Sequence, residues 1–246
     1  MVKPDKVIVA ADAAALAKAA ADRVMMRIAE NNGRIAICLT GGSSPRRLYE
    51  LLASDTYAAK IPWRRVHWFI GDERFVPPGS PLNNMATARK IFLDRFAPSS
   101  HIHPIPTDAS NPNEAAARYE HELKAFHGAA SLDPGRPLFD LVLMGVGPDG
   151  HTASLFPGDP AVHETQRWVV GVGQAPVEPF VPRVTLTLPA LASCREMLFE
   201  VAGDEKRAIL ARLLGGESLP ANLARSSGET VFLFDRAAHP ENIHGR

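Results

Sequence analysis

Asp149 and His151 lie two residues apart in a glycine-rich segment that follows an apolar run. The run, Phe139–Met144, is typical of a buried strand, and the three glycines and one proline between residues 145 and 150 predict a sharp loop after it. Imidazole titrates near neutral pH, so a histidine at the end of a strand is well placed for proton transfer. A turn whose histidine faces solvent or caps a helix is the alternative for an isolated Asp-Gly-His.

A second segment that could bind a ligand is the glycine loop Thr40–Ser44, which joins a predicted strand to a predicted helix. Gly41 and Gly42 let the backbone turn tightly and present N–H groups, and the helix start adds positive potential, so the loop favours a phosphate. It lacks the lysine of a P-loop and the spacing of a dinucleotide-binding loop, which favours a sugar monophosphate over a nucleotide. A plain strand-to-helix turn explains the same residues equally well.

Charged residues follow two further predicted strands. Gly71–Arg74 places two acids and an arginine just past a strand. The fork of Arg74 can bind phosphate or carboxylate, and Asp72 can accept hydrogen bonds from sugar hydroxyls. Lys206 falls in the first turn of a predicted helix, where a cation is unfavourable unless an anionic ligand offsets it. A surface ion-pair cluster and an exposed lysine are the alternatives.

The elements that must position these residues alternate along the chain. The hydrophobic pattern predicts strands over Lys6–Ala10, Ile35–Leu39, Val66–Ile70, His101–Ile105, Phe139–Met144, Trp168–Val172, Arg183–Leu188, Met197–Ala202 and Thr230–Phe234. It predicts helices after Asp12 through Ile28, from Pro45 through Leu52, over Ala86–Phe96, over Asn113–Phe126 and from Gly203 through Leu213. Strands that alternate with helices imply an α/β fold with a mostly parallel sheet covered on both faces. Ligands of such sheets lie beyond the carboxyl ends of the strands, so we expect the three loops to meet in one site.

Composition excludes several classes of protein. The 246 residues carry 27 basic and 27 acidic side chains, which argues against nucleic-acid binding driven by bulk charge. Two distant cysteines, Cys38 and Cys194, favour a reducing cytoplasm over a disulfide framework, and neither a signal peptide nor a membrane span is predicted. His101 and His103 could ligate zinc, but isolated solvent-facing histidines are the favoured interpretation, and no metal is predicted. The sequence has no Gly-x-Ser-x-Gly elbow, so a serine nucleophile is not predicted.

Five segments, in the right order over nearly the whole chain, resemble the 6-phosphogluconolactonases. Gly145–Gly158 resembles their signature, Gly71–Pro77 their second motif and Thr40–Ser43 their phosphate loop, while Arg183–Leu191 and Gly203–Lys206 match their C-terminal half. The resemblance implies one domain over residues 1–246. Its fold would be the Rossmann-like three-layer α/β/α sandwich shared with glucosamine-6-phosphate deaminases and ribose-5-phosphate isomerases.

The same resemblance implies an activity and a set of roles. The activity is hydrolysis of 6-phospho-D-glucono-1,5-lactone to 6-phosphogluconate in the oxidative pentose phosphate pathway, without a cofactor, by a monomer or weak homodimer. His151 corresponds to the base and Asp149 to its support. The implied substrate-binding residues are Gly41, Gly42, Ser43, Asp72, Arg74, Asn84, Arg183 and Lys206.

Two positions depart from the family pattern. Asn83 stands where a serine usually precedes the asparagine that Asn84 matches, which removes any hydroxyl contact there. The last predicted strand contains Val231–Phe234 where the family often has a tryptophan, and we interpret this as a change in packing.

Two other functions fit the same fold. Glucosamine-6-phosphate deaminases share the Asp-Gly-His core, but they resemble sequences with an acid where this chain has Phe156 and tend to have a tyrosine where it has Arg74. Sugar-binding domains of some transcriptional regulators use the fold without catalysis. These usually carry a DNA-binding helical module, for which we expect no room before the first strand.

Overall fold

A six-stranded parallel sheet forms the centre of the computed structural model, which describes residues 4–240. Its strands, in spatial order, are β1 (Lys6–Ala10), β9 (Glu229–Asp235), β8 (Cys194–Val201), β5 (Phe139–Met144), β2 (Ile35–Leu39) and β3 (Val66–Ile70). A smaller antiparallel sheet contains β4 (Asp72–Arg74), β7 (Pro182–Leu186) and β6 (Val169–Gln174). The α/β class and the mostly parallel sheet are therefore as predicted.

Nine α-helices lie within residues 4–240. They are α1 (Ala13–Glu30), α2 (Ser44–Leu52), α3 (Asp55–Ala58), α4 (Asn84–Ala88), α5 (Asp94–Phe96), α6 (Pro112–His127), α7 (Leu188–Ala192), α8 (Arg207–Leu214) and α9 (Pro220–Leu223). A π-helical turn, Arg89–Leu93, joins α4 to α5, so the predicted helix over this region is one helical segment with an irregular centre. Asp12 caps α1 as predicted, because its side chain accepts the N–H groups of residues 14 and 15.

Both faces of the central sheet are covered, which adjacent residues of β3 illustrate. Side chains alternate across a strand, so Trp68 and Phe69 point to opposite faces. Trp68 packs edge-on against Phe92 of the π-helical turn, with ring centroids 5.2 Å apart. Phe69 packs against Phe126 of α6 at 4.8 Å. No helix within residues 4–240 is both long and apolar enough to cross a bilayer.

The second sheet was not predicted, and it corrects the interpretation of Gly71–Arg74 as a loop. Residues 72–74 form β4, in which Asp72 pairs with Thr185 and Arg74 pairs with Arg183. A strand of three charged residues is too short to give an alternating pattern, and acidic residues are depleted in strands, so pattern analysis misses it.

The predicted strand over His101–Ile105 is wrong. Residues 99–101 form a 3-10 turn, and only an isolated bridge from Ile102 to Trp68 follows it. Pro104 and Pro106 donate no backbone hydrogen bonds, which prevents a longer ladder.

The histidines of this segment do not face solvent in isolation. His103 Nε2 lies 2.9 Å from His67 Nδ1, and His103 Nδ1 lies 2.5 Å from Glu122 Oε1. His101 stacks on His67 at 4.1 Å. Residues 4–240 contain no group of three or more histidine, cysteine or acidic side chains that could hold a metal ion.

Candidate active site

The three segments that the sequence predicts to meet, the glycine loop, the residues around β4 and the Asp-Gly-His loop, line one cavity of about 210 Å³ at the carboxyl edge of the central sheet. Its lining includes nine of the ten predicted site residues: Gly41, Gly42, Ser43, Asp72, Arg74, Asn84, His151, Arg183 and Lys206. The tenth, Asp149, is hydrogen bonded to His151. Glu200 also lines the cavity and was not predicted.

A larger cavity of about 530 Å³ opens at the opposite edge, where β5 and β8 begin. The charged side chains around it are already paired with one another. Arg195 lies 3.3 Å from Asp140, and Arg27 is paired with Glu196 and Glu30. The cysteine in its lining, Cys194, is buried and hydrogen bonded to Ser226. The smaller cavity, which is lined by His151 and by the glycine loop, is therefore the candidate active site.

The Asp149–His151 pair is the reactive centre of the pocket. The carboxylate of Asp149 accepts a 2.5 Å hydrogen bond from His151 Nδ1 and a 3.1 Å bond from the His151 backbone N–H. A carboxylate accepts hydrogen bonds, so Nδ1 is the donor, and in the neutral imidazole the free lone pair is then on Nε2. This is the tautomer that a general base requires.

Asp149 is ionised at neutral pH. Partial burial raises the pKa of its carboxyl group, but the hydrogen bond and the charge of His151 outweigh burial and hold the pKa below its ordinary value. The Phe156 ring packs 4.8 Å from the imidazole and is buried, so no ionisable side chain occupies this position.

Glycines shape the loop around the imidazole. Gly147 N–H donates to the His151 carbonyl at 2.8 Å, and a β-carbon on Gly147 would overlap the His151 ring. Gly150 has φ of 89°, a left-handed conformation that favours glycine. Glycine is therefore required at position 147 to leave room for the His151 ring, and it is favoured at position 150 by the backbone conformation of the loop.

The glycine loop leads directly into α2. Gly42 has φ of 99°, and a β-carbon on Gly41 would overlap the Asn84 amide. Ser43 stands at the N-cap position, but its side chain makes no capping bond. The backbone N–H groups at this helix start and the Ser43 hydroxyl therefore face the pocket as donors suited to an anion.

Two arginines stand opposite each other on β4 and β7. Arg183 is only 4% exposed and donates to the carbonyls of Pro179 (2.8 Å) and Val181 (3.2 Å). Burial lowers the pKa of Arg183, Asp72 opposes that change, and the nearby charge of Arg74 adds to it. Like charges directly opposite on a sheet are unfavourable, so an anion bound between them would be stabilising.

The other acidic and amide groups hold the pocket wall. Asp72 accepts a 2.6 Å hydrogen bond from Ser154 Oγ, and Asn84 Nδ2 donates to the Asp72 carbonyl at 3.0 Å. Asn83 caps α4 by accepting the Ala86 N–H at 2.7 Å, which explains how asparagine fits where a serine was expected.

Lys206 closes the pocket from the segment after β8. Its ammonium group donates to the Val146 carbonyl at 2.8 Å, which ties it to the histidine loop. Burial lowers the pKa of Lys206, and the charges of Glu205 and Asp149 oppose that change. A 3-10 turn over residues 204–206 precedes α8, so the predicted helix start is correct to within a turn.

Glu73 is a structural residue that pattern analysis missed. It is fully buried, and its carboxylate accepts the backbone N–H groups of Arg74 (2.9 Å), Asn84 (2.7 Å) and Met85 (3.0 Å). Burial raises the pKa of Glu73 to about 7, against the effect of these hydrogen bonds. The side chain thus fastens β4 to α4, and its position between two charged neighbours gave no sign of this burial.

Replacing Glu73 by alanine should lower the free energy of unfolding by ~3 kcal/mol, because three buried N–H groups lose their acceptor. Urea denaturation measures the change. Glu50, which is exposed in a helical ion pair, is the matched control, and Glu50→Ala should change stability by less than ~0.5 kcal/mol. Equal effects of the two substitutions would contradict the bracing role.

The fold and pocket together define an α/β enzyme with its site at the carboxyl edge of a parallel sheet. The sequence profile of the glucosamine-6-phosphate isomerases/6-phosphogluconolactonase family matches residues 11–232. The chain belongs to this family.

Individual relatives agree with this assignment. The 6-phosphogluconolactonase of Nostoc sp. is 39% identical over 218 residues, which is 86% of each chain. That of Streptomyces coelicolor is 36% identical over 244 residues, covering 95% of this chain and 93% of its own.

Solved structures share the whole fold. The 6-phosphogluconolactonase from Trypanosoma cruzi has a TM-score of 0.88 at 29% identity, and the alignment covers 100% of this chain and 99% of the other. A monomeric glucosamine-6-phosphate deaminase has a TM-score of 0.78 at 19% identity, covering 95% and 98%, which is a likeness of fold alone.

Proposed function

We propose that this protein hydrolyses 6-phospho-D-glucono-1,5-lactone to 6-phosphogluconate, with His151 as the general base. The observation that carries the proposal is the Asp149–His151 pair, held 2.5 Å apart in a pocket that also contains a glycine loop and the cations Arg183 and Lys206. Family membership and relatives named 6-phosphogluconolactonase support the choice of substrate.

His151 acts on water in this mechanism. Nε2 takes a proton from a water molecule as its oxygen attacks the lactone carbonyl carbon, and a tetrahedral oxyanion forms. The bond from that carbon to the ring oxygen then breaks, and the imidazolium returns the proton to the departing oxygen. Asp149 keeps the ring in the required tautomer and stabilises the imidazolium. Main-chain N–H groups and Arg74 are the candidates for stabilising the oxyanion.

The phosphate of the substrate would bind at the glycine loop, Thr40–Ser44. Gly41, Gly42 and Ser43 offer donors at the start of α2, and Arg183 and Lys206 offer positive charge. Asp72 and Asn84 also line the pocket, where they would contact the sugar hydroxyls.

Replacing Lys206 by methionine should raise KM for the phosphorylated lactone at least about tenfold, the range for one lost charge-assisted hydrogen bond. The effect on kcat should be smaller, because the lysine binds the phosphate in ground and transition states alike. Steady-state kinetics measure both constants, with Lys60→Met as a control for loss of a lysine away from the pocket. An unchanged KM would remove Lys206 from the phosphate site.

Glucosamine 6-phosphate tests the alternative reaction. The lactone is generated in situ and its loss is followed against the spontaneous rate, while ammonia release is followed with glucosamine 6-phosphate. Lactone loss above background without ammonia supports the proposal. Ammonia release would favour a deaminase, and binding without turnover of either compound would favour a sugar-binding domain.

We further propose that the protein is a cytoplasmic monomer or weak homodimer. It acts on this small molecule without a cofactor and without nucleic acid.

A further inference from the structure

Glu200 is a buried acid at the floor of the pocket for which the proposed reaction has no use. It lies on β8 beside Leu233 of β9, is 1% exposed and lines the same cavity as His151. Neither of its carboxyl oxygens has a hydrogen-bond partner among the described residues. An unsatisfied buried polar group is costly, and it persists in native proteins where it has a role.

Glu200 lines the pocket together with the glycine loop, Thr40–Ser44. Tyr49 of α2 supports that loop, because its hydroxyl donates to the Thr40 carbonyl at 2.7 Å and accepts the Thr40 N–H at 3.2 Å. Burial raises the pKa of Tyr49 well above its ordinary value, and the charge of Glu200 adds to the rise. Glu200 lies four residues after Glu196 on β8 and therefore shares its face of the sheet. Glu196 is paired with Arg27 of α1, and α1 packs against α2, so Glu200 is on the face that α2 helps to cover.

The carboxyl group carries a proton at neutral pH. Burial alone raises the pKa of Glu200 to about 8, since no cation within residues 4–240 pairs with it and Lys206 donates to a backbone carbonyl instead. A neutral carboxyl group is a hydrogen-bond donor, whereas an ionised one would repel an anion in this place.

We propose that Glu200 is a ligand-binding residue whose carboxyl group donates a hydrogen bond to a phosphate oxygen of the bound sugar phosphate. The inference rests on the proposed function for the identity of the ligand. It adds to the glycine loop, Arg183 and Lys206 a fourth and uncharged donor that approaches the phosphate from below.

The presence of this acid should cost the free protein stability. The unfolded chain releases the Glu200 proton near its ordinary pKa of 4.5 and the folded chain near 8, so stability falls as pH rises between these values. Removing the carboxyl group should therefore raise Tm at pH 7.5, by ~3 °C or more, while weakening binding.

The experiment compares Glu200→Leu, Glu200→Gln and wild type by calorimetric titration at pH 7.5 with 6-phosphogluconate and with inorganic phosphate. Glu200→Leu should raise Kd for both probes about tenfold or more and raise the Tm of the free protein. Glu200→Gln keeps a donor and should restore Kd to within about threefold of wild type. Met197→Leu, buried in the same strand outside the pocket lining, is the control.

Three results would overturn the inference. An unchanged Kd with a raised Tm would make Glu200 a buried acid without a binding role. A weaker Kd for 6-phosphogluconate alone would move the contact from the phosphate to the sugar. A lower Tm in both variants would make the residue structural. The titrations need no turnover, so a failure of lactone hydrolysis would reject the proposed reaction and leave this result standing by itself.

Discussion

Replacing His151 by asparagine should reduce kcat for lactone hydrolysis about a thousandfold, in the middle of the range for a lost general base. Asparagine has similar polarity and can still contact Asp149, but its amide cannot take a proton from water at neutral pH. KM should change little, because the proposed phosphate contacts are made by the glycine loop, Arg183 and Lys206 rather than by His151.

The control for this substitution is His163→Asn, which alters an exposed histidine in a 3-10 turn outside the pocket. Both variants should keep the wild-type circular dichroism spectrum and Tm to within ~2 °C. Turnover that survives in His151→Asn would assign the proton transfer to another group.

Replacing Gly147 by alanine should have the second largest effect, a fall in kcat of about a hundredfold. The added methyl group would overlap the His151 ring, so the imidazole must move. A displacement of about 1 Å in a catalytic group can cost this much. The methyl group would overlap His151 Nδ1, the atom that donates to Asp149, so the loss would come from displacement of the imidazole and of this hydrogen bond.

Gly79→Ala is the matched control, because a β-carbon there meets no atom within 4 Å. It should leave kcat unchanged. If Gly147→Ala retains full activity, the close approach of Gly147 to the imidazole has no part in catalysis.

The central sheet could be predicted from the sequence because its strands are long apolar runs. Ile35–Leu39 and Phe139–Met144 are buried at every position, and such runs are recognisable without knowledge of their neighbours. The loops that follow them were equally recognisable, since glycines at strand ends indicate tight turns. Parallel topology then implied that these loops meet, and the pocket lining agrees.

The missed features depend on contacts between distant segments. β4 exists because its three residues pair with β7, more than one hundred residues away, and nothing local in Asp72–Arg74 signals this. Burial of Glu73 and Glu200 follows from the helices that cover them, whereas acids in a sequence ordinarily indicate exposure. The His67–His103 contact likewise joins two segments whose patterns are unrelated.

The central claim is that the Asp149–His151 pair hydrolyses a phosphorylated lactone in this pocket. Its most direct test is the rate at which freshly generated 6-phosphoglucono-1,5-lactone disappears with wild-type protein, with His151→Asn and with buffer alone. We expect rapid loss with wild type and loss close to the spontaneous rate with the variant. Wild-type protein that hydrolyses the lactone no faster than buffer, or a variant as fast as wild type, would contradict it.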